Sequence, residues 1–161
     1  MGLGTIGKRV AELAQGFNAD VRYWSREKKD VPFKFEETDD LIAKSDFLSI
    51  NLAYTEELKG FLNAERFQSL KKDAVVINTA PMDLIDINAL AIRLEKNDIT
   101  FILDHSDEMS KEDLDKVTKF PNCIIYPPIA YISEEAKKNK QEIFIENIEN
   151  FLNNKPSNVV N

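Results

Sequence analysis

The chain contains one cysteine, Cys123, and one histidine, His105, in 161 residues. One thiol can form no internal disulfide and no thiolate-rich metal site. In Cys123-Ile124-Ile125-Tyr126 it reads instead as a buried strand thiol that packs as a small hydrophobe. His105 has no second histidine, cysteine or carboxylate cluster to join, so no metal is expected. Basic residues are in deficit, 21 against 28 acidic ones, for a formal net charge of -7. No broad positive field remains to hold a polyphosphate backbone, which excludes nucleic acid as an expected partner. Long apolar runs are absent too. None approaches the ~20 residues that span a bilayer, and Lys8-Arg9 arrives before any secretory apolar stretch. A cytoplasmic protein without a membrane partner is the expectation. Glycine is scarce, five residues in all, yet three of them fall within the first seven positions.

What is present fits one α/β unit. A hydrophobic content of 43% over 161 residues is enough for one compact core, so a single domain over 1–161 is expected. Ile6, Val10, Leu13, Ala14 and Phe17 recur at helical spacing and predict an amphipathic helix from about Thr5 to Phe17. Val21-Arg22-Tyr23-Trp24 and Phe47-Leu48-Ser49-Ile50-Asn51-Leu52 read as strands, with a short helix from Thr38 to Ala43 between them. Ala74-Val75-Val76-Ile77 and Ile99-Thr100-Phe101-Ile102-Leu103 lack clean two-residue alternation, as parallel strands buried on both faces do. Between them a helix is predicted from about Ile87 to Lys96 with Asp86 as N-cap, and Ser110 with Asp113 opens another. Cys123 to Tyr126 predicts the last strand. Glu134 to Leu152 predicts a long amphipathic helix capped by Ser133, with Ile143, Phe144, Ile148, Phe151 and Leu152 on successive turns. Strands alternating with helices predict a Rossmann-like, doubly wound parallel sheet flanked by helices, with ligands at the carboxyl ends of the strands.

Gly2-Leu3-Gly4-Thr5-Ile6-Gly7 matches G-x-G-x-x-G at the start of the first helix. Its glycines permit a tight turn and let backbone amides reach a pyrophosphate, so Gly2, Gly4, Thr5, Ile6 and Gly7 are candidate dinucleotide contacts. An acid roughly 20 residues further on would normally accept hydrogen bonds from the adenosine ribose of NAD. Ser25-Arg26 stands there instead, with Lys28 and Lys29 close by. A hydroxyl and a guanidinium suit a 2′-phosphate, which brings in NADP beside NAD; a solvated basic loop is the other reading. The motif also calls for a strand directly before its first glycine, and only Met1 is there. The first strand is missing from the sheet as read. Either the start lies upstream, or another segment or subunit fills the place between that strand's two neighbours.

Four further stretches continue in one register: Tyr23-Trp24-Ser25-Arg26; Ser45-Asp46-Phe47-Leu48-Ser49-Ile50-Asn51-Leu52-Ala53-Tyr54-Thr55; Lys59-Gly60-Phe61-Leu62-Asn63; and Ala74-Val75-Val76-Ile77-Asn78-Thr79-Ala80 with Leu84-Ile85-Asp86. Together with the glycine motif they resemble the NAD(P)-binding domain of the D-isomer-specific 2-hydroxyacid dehydrogenases, closest to glyoxylate/hydroxypyruvate reductase and glycerate dehydrogenase members. The resemblance covers essentially the whole chain. It implies a nicotinamide dinucleotide, NAD or NADP, whose further contacts are Thr55, Asn78, Thr79 and Ala80, with Asp104 facing the nicotinamide carboxamide. It also implies a homodimer formed through the cofactor domains. The resemblance places no part of the family's separate substrate domain within these residues, although Lys155-Pro156-Ser157-Asn158-Val159-Val160-Asn161 resembles the terminal segment that returns toward it.

The family's hydride transfer relies on an arginine for the substrate carboxylate, a histidine acid-base and a glutamate that orients the histidine. The matching positions here hold Pro81, Pro128 and Met109, unless a one-residue shift promotes Glu108. Proline offers neither charge nor bidentate contact, and neither proline nor methionine transfers a proton. His105, after the last long strand, is a substitute acid-base candidate, whereas its acidic neighbours Asp104 and Asp107 fit a plain polar loop. Three functions follow: a catalytically impaired dinucleotide-binding protein, a competent domain of a longer NADP-dependent oxidoreductase working through His105 or Glu108, and a non-catalytic dimerisation module.

Overall fold

The computed structural model describes residues 1–129 and 132–159. Ala130 of the Pro127-Pro128-Ile129-Ala130 motif and Val160-Asn161 of the terminal segment lie outside the described residues. The chain divides into two compact units, Met1–Pro127 and Pro128–Asn161.

The first unit alternates helices and strands in the order α1 (Thr5–Gly16), β1 (Arg22–Tyr23), β2 (Lys34–Phe35), α2 (Thr38–Lys44), β3 (Phe47–Ile50), α3 (Ala64–Ser69), β4 (Ala74–Asn78), α4 (Ile87–Glu95), β5 (Ile99–Leu103), α5 (Lys111–Thr118) and β6 (Cys123–Ile125). β3, β4, β5 and β6 form one parallel sheet in that order, and β1 pairs with β2, also parallel, in a small second one. The expected helix starts hold because short polar side chains satisfy the first free amides. Asp86 accepts from the Ala89 amide, and Ser110 from that of Asp113. β2 and α3 were not legible in the sequence: β2 is two residues long, and α3 is six residues held by Asn63, whose side chain accepts from the Arg66 amide.

Burial on β4 and β5 corrects one expectation. Ala74, Val76, Asn78, Ile99, Phe101 and Leu103 are sealed, whereas the alternate residues Val75, Ile77, Thr100 and Ile102 are half-buried. The sheet is thus covered unequally. α3 packs on α4 and α4 on α5, with α4 against β5, which forms a continuous layer over one face. α1 serves a separate small cluster of Leu3, Ala11, Tyr23 and Phe33 at the β1–β2 end. Its outer residues Ile6, Leu13 and Phe17 stay exposed.

Met1 and Gly2 occupy the place where a strand would end between β1 and β3. The Met1 amino group donates to the Ser49 carbonyl at 2.8 Å, and the Met1 carbonyl accepts from the Asn51 amide at 2.8 Å. On the other side the Gly2 amide donates to the Trp24 carbonyl at 2.9 Å. The two sheets are therefore stitched at their carboxyl ends, where the sequence reading left both edges open. Burial pushes the Met1 amino group down to about 6 from its ordinary 8.0.

In the second unit α6 (Glu134–Leu152) begins at Ser133, whose side chain accepts from the Ala136 amide. The tail folds back on it: Asn150 donates to Ser157 Oγ, and the Ser157 hydroxyl and the Asn158 amide both donate to Asn147 Oδ1. The apolar residues predicted for this helix are present, and Phe144, Phe151 and Leu152 are exposed. No helix among the described residues is long and apolar enough to cross a membrane.

Candidate functional site

Three glycines at the mouth of α1 have different reasons to be glycine. Gly2 has φ +80°, and a Cβ there would lie 2.5 Å from the Asn51 carbonyl oxygen. At Gly7 a Cβ would lie 1.9 Å from the Gly2 carbonyl oxygen. Both are demanded by the fold itself, through backbone passing over backbone. A Cβ at Gly4 would meet nothing within 4 Å. Gly4 is the N-cap of α1, makes no side-chain cap, and is followed by a first turn without an acidic residue. Thr5 and Ile6 are exposed at the same end. The first amides of a twelve-residue helix thus face open space beside a residue without a side chain, the arrangement that takes an anion.

Beyond β1 the chain turns through Ser25 and Arg26, and here two expectations change. Ser25 is buried, and its hydroxyl donates to the Glu27 carbonyl at 2.5 Å, so its proton is committed to the turn rather than offered to a ligand. Lys28 lies over the Phe35 ring, 4.7 Å from its centroid, so that side chain too is engaged within the chain. Arg26 is exposed, and its Nη2 donates to Thr55 Oγ1 at 3.0 Å, which joins the loop after β1 to the loop after β3. The sequence marked both residues but gave no sign that they meet. Tyr23 was not marked as a site residue. Its hydroxyl donates to the Lys29 carbonyl and accepts from the Lys29 amide, so it clasps this turn from beneath.

The ends of β4 and β5 lie side by side, with Asn78 in register with Leu103. Asn78, expected to contact the cofactor, is fully buried. Its Nδ2 donates to the Ala80 carbonyl and to Met82 Sδ, and its Oδ1 accepts from the Ala80 amide. It shapes the turn instead of meeting a ligand. Ala80 is buried behind it, and Thr79 is left exposed at the strand end. Asp104, one residue past β5, keeps a buried Oδ1 that has no hydrogen-bond partner. A buried carboxylate oxygen without a donor at hydrogen-bond distance is costly; a ligand amide would relieve it, as would a closer approach of His105, whose Nε2 lies 3.7 Å away.

The positions that the family resemblance matches to catalytic residues hold Pro81, Met109 and Pro128. Pro81 opens a 3-10 turn over Met82–Leu84, and Met109 follows another over Ser106–Glu108. Met82 and Met109 line one groove of about 350 Å³ together with Lys59, Asp83, Asp86 and Glu108. Pro128 is half-buried at the head of the second unit. His105 sits between two carboxylates, its Nδ1 3.3 Å from Glu108 Oε1 and its Nε2 3.7 Å from Asp104 Oδ1. Cys123 is half-buried rather than sealed, and that burial raises its thiol to about 11, so it offers no nucleophile at neutral pH. Among the described residues no group of three or more His, Cys, Asp and Glu is arranged to hold a metal ion.

An uncapped helix end with Gly4 open, an unpartnered Asp104 oxygen and an exposed Thr79 between them fit a molecule carrying an anion at one end and an amide at the other. A family model described as the D-isomer specific 2-hydroxyacid dehydrogenase, NAD binding domain, matches residues 1–130. The chain is 30% identical over 168 residues to a glyoxylate reductase of Aeropyrum pernix, covering 100% of this chain and 50% of that protein. It is 32% identical over 155 residues to a glyoxylate reductase of Thermofilum pendens, covering 92% of this chain and 46% of that protein. Among solved structures, an acyclic imino acid reductase in complex with NADPH and D-Arg superposes with a TM-score of 0.91 at 31% identity, over 99% of this chain and 52% of that one. The chain spans about half the length of the curated relatives it matches.

Proposed function

Because the chain belongs to the D-isomer specific 2-hydroxyacid dehydrogenase family as an NAD-binding domain, we propose that it binds a nicotinamide dinucleotide, NADP in preference to NAD, and does not by itself reduce 2-ketoacids. The observation that carries the binding is the contrast among the glycines: Gly2 and Gly7 are required by the protein's own backbone, while the space beside Gly4 is left to something else. The bound dinucleotide would supply the hydride. The chain's own part is to hold the pyrophosphate at the start of α1, with Arg26 at the adenosine end and Thr79 and Asp104 at the nicotinamide end. NADP is supported by an exposed guanidinium where an acid would otherwise accept from the ribose hydroxyls.

Impairment rests on Pro81, Met109 and Pro128, none of which binds a carboxylate or moves a proton. A homodimer in the cytoplasm accompanies this proposal, by resemblance to the family's cofactor domains and by the prevalence of two-fold symmetry. Calorimetric titration with NADP and NAD tests the first half. The outcome expected for these 161 residues alone is binding weaker than micromolar that favours NADP. The second half is tested by NADPH absorbance with glyoxylate, hydroxypyruvate or pyruvate, and a steady loss above background overturns it.

A second reading is favoured by the 3.3 Å approach of Glu108 to His105, a carboxylate beside an imidazole on the loop that leaves β5. In it the chain is the cofactor domain of a longer oxidoreductase, with His105 as acid-base and Glu108 orienting it. Turnover that disappears in His105→Ala while NADP binding survives would establish that reading instead.

A further inference from the structure

We propose that Thr55 is a positioning residue for cofactor selection: its hydroxyl holds the Arg26 guanidinium at the adenosine end of the site, where it meets the 2′-phosphate of NADP. This rests on the NADP reading above and adds to it a residue from a different loop, 29 positions away.

Both ends of the contact are anchored in the backbone. On the Arg26 side, the Tyr23 hydroxyl donates to the Lys29 carbonyl at 3.1 Å and accepts from the Lys29 amide at 2.8 Å, while Ser25 Oγ donates to the Glu27 carbonyl. On the other side, the Thr55 carbonyl accepts from the Leu58 amide at 2.8 Å, which closes the 3-10 turn over Glu56–Leu58. The side chain between these anchors is an exposed arginine, which samples many rotamers unless something holds it. Its only hydrogen bond among the described residues is the one from Nη2 to Thr55 Oγ1 at 3.0 Å.

The contact leaves the guanidinium usable. A hydroxyl acceptor takes one of its five N–H donors and none of its charge. Among the described residues Arg26 has no carboxylate partner, although Glu27 and Glu56 are adjacent to the two residues in sequence. Glu56 Oε1 accepts from the Tyr54 hydroxyl at 2.9 Å, and no ion pair joins Glu56 to Arg26 among the described residues. A held, un-neutralised fork of N–H groups gains far more from a charged phosphate than from a neutral ribose hydroxyl. Losing Thr55 Oγ1 should therefore weaken NADP more than NAD.

The test is an NMR shift titration, which reads weak binding, of the full chain and of Thr55→Val, Thr55→Ser and Arg26→Ala, each with NADP, NAD and 2′,5′-ADP. In Thr55→Val, the NADP-to-NAD affinity ratio is expected to fall about three- to tenfold, the worth of one hydrogen bond, and 2′,5′-ADP to weaken with NADP. Thr55→Ser should restore the NADP-to-NAD ratio. If Arg26→Ala collapses that ratio and Thr55→Val leaves it unchanged, Arg26 needs no positioning and the proposal is overturned. An equal loss of NADP and NAD in Thr55→Val overturns it as well, because Thr55 would then serve the loop in general. A ratio that survives Arg26→Ala removes the NADP reading itself, and the proposal with it.

Discussion

The glycine turn and the loops after β4 and β5 close the same end of the sheet, but they stand in different relation to their family. At the turn, Gly2 and Gly7 carry backbone crossings that tolerate no Cβ, and Gly4 stays open to solvent. In the loops, Pro81 opens one 3-10 turn and Met109 follows another, while Asn78 fastens the turn after β4 from below. The difference shows that residues serving the fold and residues open to a ligand alternate at this end of the sheet. Gly2, Gly7 and Asn78 serve the chain's own packing, whereas nothing in that packing calls for a particular side chain at Gly4.

The largest effect should come from Gly7→Ala, where the new Cβ would meet the Gly2 carbonyl oxygen at 1.9 Å. We expect a loss on the order of 4 kcal/mol or failure to fold, read by urea denaturation. Gly4→Ala is its counterpart. Stability should change by less than about 1 kcal/mol, while dinucleotide affinity falls at least about tenfold as the Cβ enters the space beside the helix start. Equal behaviour of the two variants would break the distinction between fold glycines and the ligand glycine.

Next in size is Asn78→Ala, which strips three hydrogen bonds from a fully buried turn and should cost about 2–3 kcal/mol. Thr79→Val, one residue on and exposed, should change stability by less than about 0.5 kcal/mol. Thermal melts of the pair show whether structural and ligand-facing roles alternate along this strand end as burial indicates.

A pH dependence of about 2–3 kcal/mol is expected from Met1 in the 161-residue chain. Its amino group is held at about 6 in the folded state and lies at 8.0 when exposed, so between those values the unfolded chain binds more protons. Stability therefore rises with pH from about 6 to 8 and has lost this contribution below about 6. Denaturation midpoints at pH 5.5, 7 and 8.5 measure the slope, and acetylation of the amino group should flatten it. Amide exchange should place the loosening at Gly2–Gly7, and protection lost equally at Leu84–Asp86 would show that the two regions are not separable.

Much of the fold was legible because its signals are local. Helical periodicity marked α1, short polar caps marked the starts of α4, α5 and α6, and apolar runs marked β4 and β5. β2 and α3 escaped because two or six residues hold too little period to read. Of the site, Gly4, Arg26, Thr79 and Asp104 keep the exposure or the open partner that their expected roles need. Ser25 and Asn78 do not, since both bond inward.

The sequence alone determined the order of the elements other than β2 and α3, the glycine turn and the residue types at positions 81, 109 and 128, because each depends on residue type and short-range spacing. Only the tertiary structure decided which glycine is free to serve a ligand, that Met1 bridges β1 and β3, and that Thr55 reaches Arg26. Those outcomes depend on which backbone passes over which, and on where side chains tens of residues apart come to rest. Local spacing does not encode either of these.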